Sequence, residues 1–142
     1  MDGYKQKKGS IKKERLRKLK AQKLEKSKYL KFVQLSNFQV ADSKKHSFEE
    51  PEKGIFGTIT NKGDKTLKEV KITVYFLDRN GTRIGEKDYF PVLYSKYSSS
   101  GVPLKPNYVK DFGYKLESYA PSNWNGKIEY KIAEIEFWDK TK

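Results

Sequence analysis

The stretch Gly57-Thr-Ile-Thr-Asn-Lys-Gly63, followed by Leu67-Lys-Glu-Val70-Lys-Ile72-Thr-Val74-Tyr-Phe76-Leu77-Asp78-Arg-Asn-Gly81, decides the fold class. Ile55, Gly57 and Ile59 fall on one face of a strand, and Asn61-Lys-Gly-Asp64 then turns the chain. Val70, Ile72, Val74 and Phe76 alternate with Lys71, Thr73 and Tyr75, the pattern of an antiparallel strand with one buried and one solvated face. Asn80-Gly81 supplies residues that a tight hairpin turn needs at positive φ.

Working outward, period two recurs on both sides. Before the stretch, Leu30 and Phe32, then Leu35, Phe38 and Val40, predict one long strand from Tyr29 with a phase slip near Leu35–Asn37, the mark of a bulge or bend. Residues 42–53 read as a polar loop. After it, a strand is predicted from about Thr82 to Phe90, and residues 91–106, with three prolines and Ser98-Ser-Ser-Gly101, as a long irregular connection. Tyr108, Phe112, Tyr114 and Leu116 alternate, and Ala120-Pro-Ser-Asn-Trp-Asn-Gly126 breaks the chain. Ile128, Tyr130 and Ile132 share a face before the phase slips to Ile135 and Phe137. Six or seven short strands with turn signals at these intervals predict an all-β, immunoglobulin-like antiparallel β-sandwich. Its core pairs Val70, Ile72, Val74 and Phe76 with Ile59, Phe112, Tyr114, Ile128 and Ile132.

The N-terminal quarter differs. Of 31 Lys and Arg in the 142 residues, 13 lie in residues 1–31 beside only Asp2, Glu14 and Glu25, a local net charge of +10 within a total of +13. Residues 1–10 read as disordered, with Ser10 capping a helix that continues to Lys28 on residues of high helix propensity. Leu16, Leu19 and Leu30 approximate a stripe, whereas Ile11 and Leu24 lie off it, so no coiled-coil seam is predicted. The division is a basic arm, disordered or helical, over 1–28 and a β-sandwich domain over 29–142.

Composition excludes several chemistries. With no cysteine there is no disulfide, thiolate metal site or thiol nucleophile. The ten Tyr and eight Phe supply core area from few positions, offsetting a hydrophobic content of only 35%. No run approaches the roughly 18 apolar residues of a membrane span, and no apolar segment of a signal peptide opens the sequence.

Residues 54–137 resemble the FxLYD-type domains, small immunoglobulin-like modules of bacterial and archaeal proteins. The resemblance rests on Gly57-x-Ile59-x-Asn61-x-Gly63, Leu67-x-x-Val70, Val74-x-Phe76-Leu77-Asp78 and Asn80-Gly81. It extends to Leu104-Lys-Pro106-Asn107 before Tyr108–Phe112, similar to the family's Leu-x-Pro-Gly turn. Val74 and Leu77 stand where the naming motif has Phe and Tyr, and Asn107 where Gly is usual. The resemblance covers about 60% of the chain, is structural and carries over no catalytic residue. It implies a non-enzymatic accessory domain, extracytoplasmic or membrane-associated if an upstream segment was removed, and otherwise cytoplasmic.

Candidate sites are few. His46, the single histidine, lies among Asp42, Glu49 and Glu50 in a polar loop and reads as an ordinary exposed side chain, so no metal site is assigned. Asp78-Arg-Asn-Gly81 matches a fragment of a calcium loop, but Glu86 is at the wrong spacing for its closing ligand and a hairpin explains the residues better. Ser98-Ser-Ser100 has no supporting base, no carboxylate pair stands out, and there is no Gly-rich phosphate loop. No catalytic, cofactor or metal residue is therefore assigned.

Two surface features remain. Tyr94 and Tyr97, beside Tyr89, Phe90 and Leu93, are candidates for contact with a protein partner or for capping the core. Lys7, Lys8, Lys12, Lys13, Arg15, Arg17, Lys18 and Lys20 are candidates for an anionic surface. The expected function is a non-enzymatic interaction or assembly module, tethered at or near a membrane through its basic segment. The alternative is a basic-tailed, nucleic-acid-associated cytoplasmic protein, recognised by strong salt dependence.

Overall fold

Tyr29 ends a helix and Val33 begins a sheet, and between them the chain changes period within a single 3-10 turn, Leu30–Phe32. This computed structural model describes residues 2–43, 52–95, 101–116 and 120–138, with the side chains of 2–11, 43 and 52 excepted. The chain divides into two units, 1–31 and 32–142.

The first unit is α1 (Asp2–Tyr29). It starts eight residues before the predicted Ser10 cap, so residues 2–10 are helical rather than disordered, and Ser10 lies inside the helix. Gly3 and Gly9 each cost about 1 kcal/mol against Ala in a helix interior. The intervening Lys and Gln are good helix formers.

The second unit is an all-β sandwich of six strands: β1 (Val33–Ser43), β2 (Glu52–Asn61), β3 (Leu67–Leu77), β4 (Arg83–Leu93), β5 (Val109–Lys115) and β6 (Ile128–Phe137). They form two antiparallel sheets of three strands, in the orders β1-β2-β5 and β4-β3-β6. The central strands β2 and β3 carry most of the core. Ile55, Ile59, Leu67, Val70, Ile72, Val74 and Phe76 are wholly buried, as the alternation of β3 predicts.

The other predicted core partners, Phe112, Tyr114, Ile128 and Ile132, are only half-buried, because they lie on the edge strands β5 and β6. The aromatics there close the open sides of the sandwich. Tyr89 of β4 meets Tyr114 of β5 at 4.7 Å between ring centroids, and Phe38 of β1 meets Tyr130 of β6 at 4.0 Å.

Both phase slips seen in the sequence are bulges. In β1, Ser36 pairs with Thr58 and Gln39 with Phe56, so Asn37 and Phe38 together face Gly57. Asn37 takes the left-handed φ of 52° that lets the strand return Phe38 to the core face. In β6, the register shift between Glu134 and Ile132 leaves Ala133 as the extra residue, which brings Ile135 inward.

Three further boundaries differ from the sequence reading. β1 begins at Val33, not Tyr29, because its ladder starts opposite Asn61, the last residue of β2. β4 runs on through Pro91 to Leu93, with Val92 opposite Val70 and Leu93 opposite Glu69. Proline is accommodated because β4 is an edge strand and bulges there. The β3–β4 hairpin is wider than a two-residue Asn-Gly turn. Gly81 alone is left-handed, at φ 79°, and the Asp78 carboxylate Oδ1 accepts the N–H groups of Asn80 and Thr82, each at 2.9 Å.

Candidate functional site

The basic helix gathers the predicted cationic residues on one element but not on one face. At about 100° per residue, Lys7, Lys8, Lys12, Lys13, Arg15, Arg17, Lys18 and Lys20 fall on every side of the axis. Lys12, Lys13, Arg15, Arg17, Lys18 and Lys20 are exposed, while the side chains of Lys7 and Lys8 lie outside the described residues. Leu16, Leu19 and Leu24 are exposed too, at 51, 61 and 56%, and form no continuous stripe. At about 1.5 Å per residue the 28-residue helix is a rod about 42 Å long. Such a rod can neutralise anions from any direction. It lacks the apolar face with which an interfacial helix enters lipid. No described helix is long and apolar enough to cross a membrane.

Of the two candidate contact tyrosines, Tyr97 lies outside the described residues, as do His46 and Ser98–Ser100. Tyr94 is half-buried. Its N–H donates to the Lys68 carbonyl at 2.7 Å, and its ring meets Trp138 edge-on at 5.9 Å and 76°. Trp138 is held in turn by its N–H on the Thr66 carbonyl. The pair sits beside the first residues of β3, capping that end of the sandwich.

Trp124 covers the other end. Its ring stands edge-on to Phe76 at 5.5 Å and 82°, and its indole N–H donates to the Lys127 carbonyl at 2.7 Å. Asn125 anchors the segment through its own N–H on the Leu77 carbonyl and by accepting the Lys127 N–H on Oδ1. A shallow depression of about 440 Å3 lies here, lined by Asp78, Arg79, Ser122, Asn123, Trp124 and Asn125. The sequence reading treated 120–126 only as a chain break. A lone Trp inside such a polar turn was the available signal, because a large apolar ring in a surface turn normally covers something.

A second depression, of about 600 Å3, lies on the outer face of β4-β3-β6. Several of its lining residues are engaged across the strands. Thr73, buried although it points outward, donates to Asp88 Oδ1 at 2.7 Å. Lys71 pairs with Glu134 at 3.7 Å. Arg83 bonds Glu129 at 3.3 Å and lies 3.9 Å from the Tyr75 ring centroid. Cross-strand pairing accounts for these groups. Among the described residues no three His, Asp or Glu side chains converge as metal ligands would. Asp78, the residue of the calcium-loop fragment, spends its Oδ1 on its own turn.

A titratable group with a perturbed proton affinity lies where β4 meets β5. Burial pushes the Tyr114 phenol from 10.0 up to about 12, and the neighbouring Tyr89 adds to the rise.

The most elaborate polar structure is at Asn61, where β2 ends. Asn61 is fully buried, and its amide donates to the carbonyls of Lys65 at 2.7 Å and Leu104 at 2.9 Å, while Oδ1 accepts the Gly63 N–H at 3.1 Å. Its backbone holds the 104–108 turn: the Asn61 N–H donates to the Tyr108 carbonyl, and the Asn107 N–H donates to the Asn61 carbonyl. Within that turn the Tyr108 N–H closes on the Lys105 carbonyl, and Asn107 adopts the left-handed φ of 67° that a Pro-Asn type II turn needs. Every bond in this cluster joins parts of the chain to one another.

No protein-family model matches the chain, and no curated protein matches it. Among solved structures it is similar to the X-ray structure of Northeast Structural Genomics Consortium target SoR45, with a TM-score of 0.39 and 14% identity over 76% of this chain and 86% of that one. A likeness at that level carries no argument about function.

Proposed function

We propose that this protein is a non-enzymatic interaction module, a β-sandwich held at an anionic surface by its basic helix, with membrane lipid as that surface. One observation carries the reading: an exposed helix cationic on all sides precedes a sandwich that accounts for only +3 of the charge. A cationic helix without an apolar face adsorbs by charge, at about 1 kcal/mol per cation near an anionic leaflet. In support of a non-enzymatic role, the chemistry-bearing groups described above are engaged in turns, cross-strand pairs and core packing.

Co-sedimentation with vesicles tests the proposal. Binding to phosphatidylglycerol vesicles, absent with phosphatidylcholine alone, should weaken steeply with salt. It should fall about fivefold for each of Lys12, Lys13, Arg15, Arg17, Lys18 and Lys20 changed to Gln. Equal binding to both vesicle types would remove the reading. Retention on DNA or RNA at low salt, with anionic vesicles unbound, would put nucleic acid in place of lipid.

A further inference from the structure

We propose that Asn125, which precedes Gly126, is a site of spontaneous deamidation in the folded protein, selected by the fold over the other Asn-Gly pair, Asn80-Gly81. Conversion of an asparagine amide needs the main-chain nitrogen of the next residue as nucleophile and the side-chain carbonyl carbon as electrophile. Glycine in the second position favours the reaction, because no Cβ crowds the attack. Sequence makes both pairs candidates, and the hydrogen bonds around them decide between the two.

At Asn125 both reacting groups are prepared. Its Oδ1 accepts the Lys127 N–H at 2.8 Å, an Asx turn that folds the side chain over the intervening Gly126 nitrogen. The same N–H polarises the side-chain carbonyl and points at the oxygen on which negative charge develops during attack. The Gly126 N–H makes no hydrogen bond among the described residues, so no acceptor has to be given up before it ionises. Asn125 is exposed and lines the depression of about 440 Å3, where water reaches it. Asn80 lacks both features. The Gly81 N–H is committed to the Asp78 carbonyl at 3.0 Å, and no N–H among the described residues donates to the Asn80 side chain. Asn61 has the same Asx turn, on the Gly63 N–H, but it is fully buried. Its next residue is Lys62, whose N–H donates to the Phe32 carbonyl at 2.8 Å.

The chemistry balances with water as the only co-reactant. The Gly126 nitrogen gives its proton to hydroxide and bonds to Asn125 Cγ, and the amide nitrogen takes up a proton and leaves as ammonia. Water then opens the cyclic imide at either carbonyl, giving aspartate or isoaspartate, with a negative charge gained and nothing oxidised or reduced. In isoaspartate the main chain runs through the side-chain carbon and is a methylene longer. That lengthening falls between two anchors, the Asn125 N–H on the Leu77 carbonyl and the Trp124 indole N–H on the Lys127 carbonyl. The second of these holds the Trp124 ring edge-on to Phe76, so conversion loosens that end of the sandwich.

Peptide mapping by mass spectrometry of the full chain, aged in native buffer, tests the proposal. Asn125 should convert about tenfold or more faster than Asn80 in the folded chain. In guanidinium chloride, where these hydrogen bonds are gone, the two should convert at similar rates. Lys127→Pro removes the donor on Oδ1 and should slow Asn125 about tenfold while leaving Asn80 unchanged. Should that variant fail to fold, the comparison of folded with denatured wild type decides the matter by itself. Absence of conversion at Asn125, a rate at Asn80 equal to it or greater, or the same preference kept in guanidinium chloride would overturn the proposal. So would a folded Lys127→Pro variant that converts at the wild-type rate.

Discussion

The side-chain amide of Asn61 donates a hydrogen bond to the main-chain carbonyl of Leu104 across 43 positions of sequence, at 2.9 Å and out of contact with solvent. That carbonyl also accepts the Leu67 N–H, and Leu104 returns its own N–H to Leu67. One buried amide thus joins the end of β2, the start of β3 and the turn that leads into β5. Asn61→Ala should lower stability by about 2–4 kcal/mol in urea denaturation, because it removes three hydrogen bonds at once, one of them fully buried. Asn61→Asp should cost more, since a carboxylate cannot donate and would face two carbonyl oxygens. Equal stability of Asn61→Ala and wild type would show that the cluster is replaced by water.

Gly57 lies beneath two rings. A Cβ at this position would come within 2.8 Å of Phe112 and 3.0 Å of Phe38, both on the core side of the sheet. Gly57→Ala should therefore destabilise the sandwich by about 1–3 kcal/mol. Combined with Phe112→Leu, its added cost should shrink, because the narrower side chain makes room. Additive losses in a double-mutant cycle would disprove the steric account.

Tyr114 sets an alkaline limit. Its phenol, held up to about 12 in the fold against 10.0 ordinarily, favours the protonated form when folded. This contribution is fully present below pH 10 and is lost as pH rises through about 12. Stability should fall across that interval, and Tyr114→Phe should flatten the fall. Chemical denaturation at stepped pH, alongside phenolate absorbance, measures both; an unchanged slope in the variant would assign the loss to other tyrosines.

Asp78 organises the β3–β4 loop through one oxygen that accepts two N–H groups. Asp78→Ala should cost about 1 kcal/mol, and Asp78→Asn should recover most of it, because the amide oxygen can accept the same bonds. The site is exposed, so a thermal shift larger than a few degrees would point to a role beyond the turn.

The sequence by itself determined whatever depends on neighbouring positions. Alternation from Val70 to Phe76 reports a face because successive strand side chains point to opposite sides. The slips near Leu35–Asn37 and after Ile132 report breaks in that alternation for the same reason, which the strand registers make bulges, and Asn107 after Pro106 reports a left-handed turn residue. The basic segment was equally plain as composition. Its extent as a helix back to Asp2 was not, because Gly3 and Gly9 weaken a local propensity reading.

Only the tertiary structure decided what depends on partners distant in sequence. Strand order placed β2 and β3 at the centres of their sheets, which is why their residues are wholly buried while Phe112, Tyr114, Ile128 and Ile132 are not. Asn61 looked like a turn residue, and its burial arises from Leu104. Trp124 looked like part of a chain break and instead covers Phe76. The continuation of β4 through Pro91 followed from its place at a sheet edge. Each of these outcomes is a pairing or packing contact between segments far apart in the chain, and no local period or turn preference encodes which segments will meet.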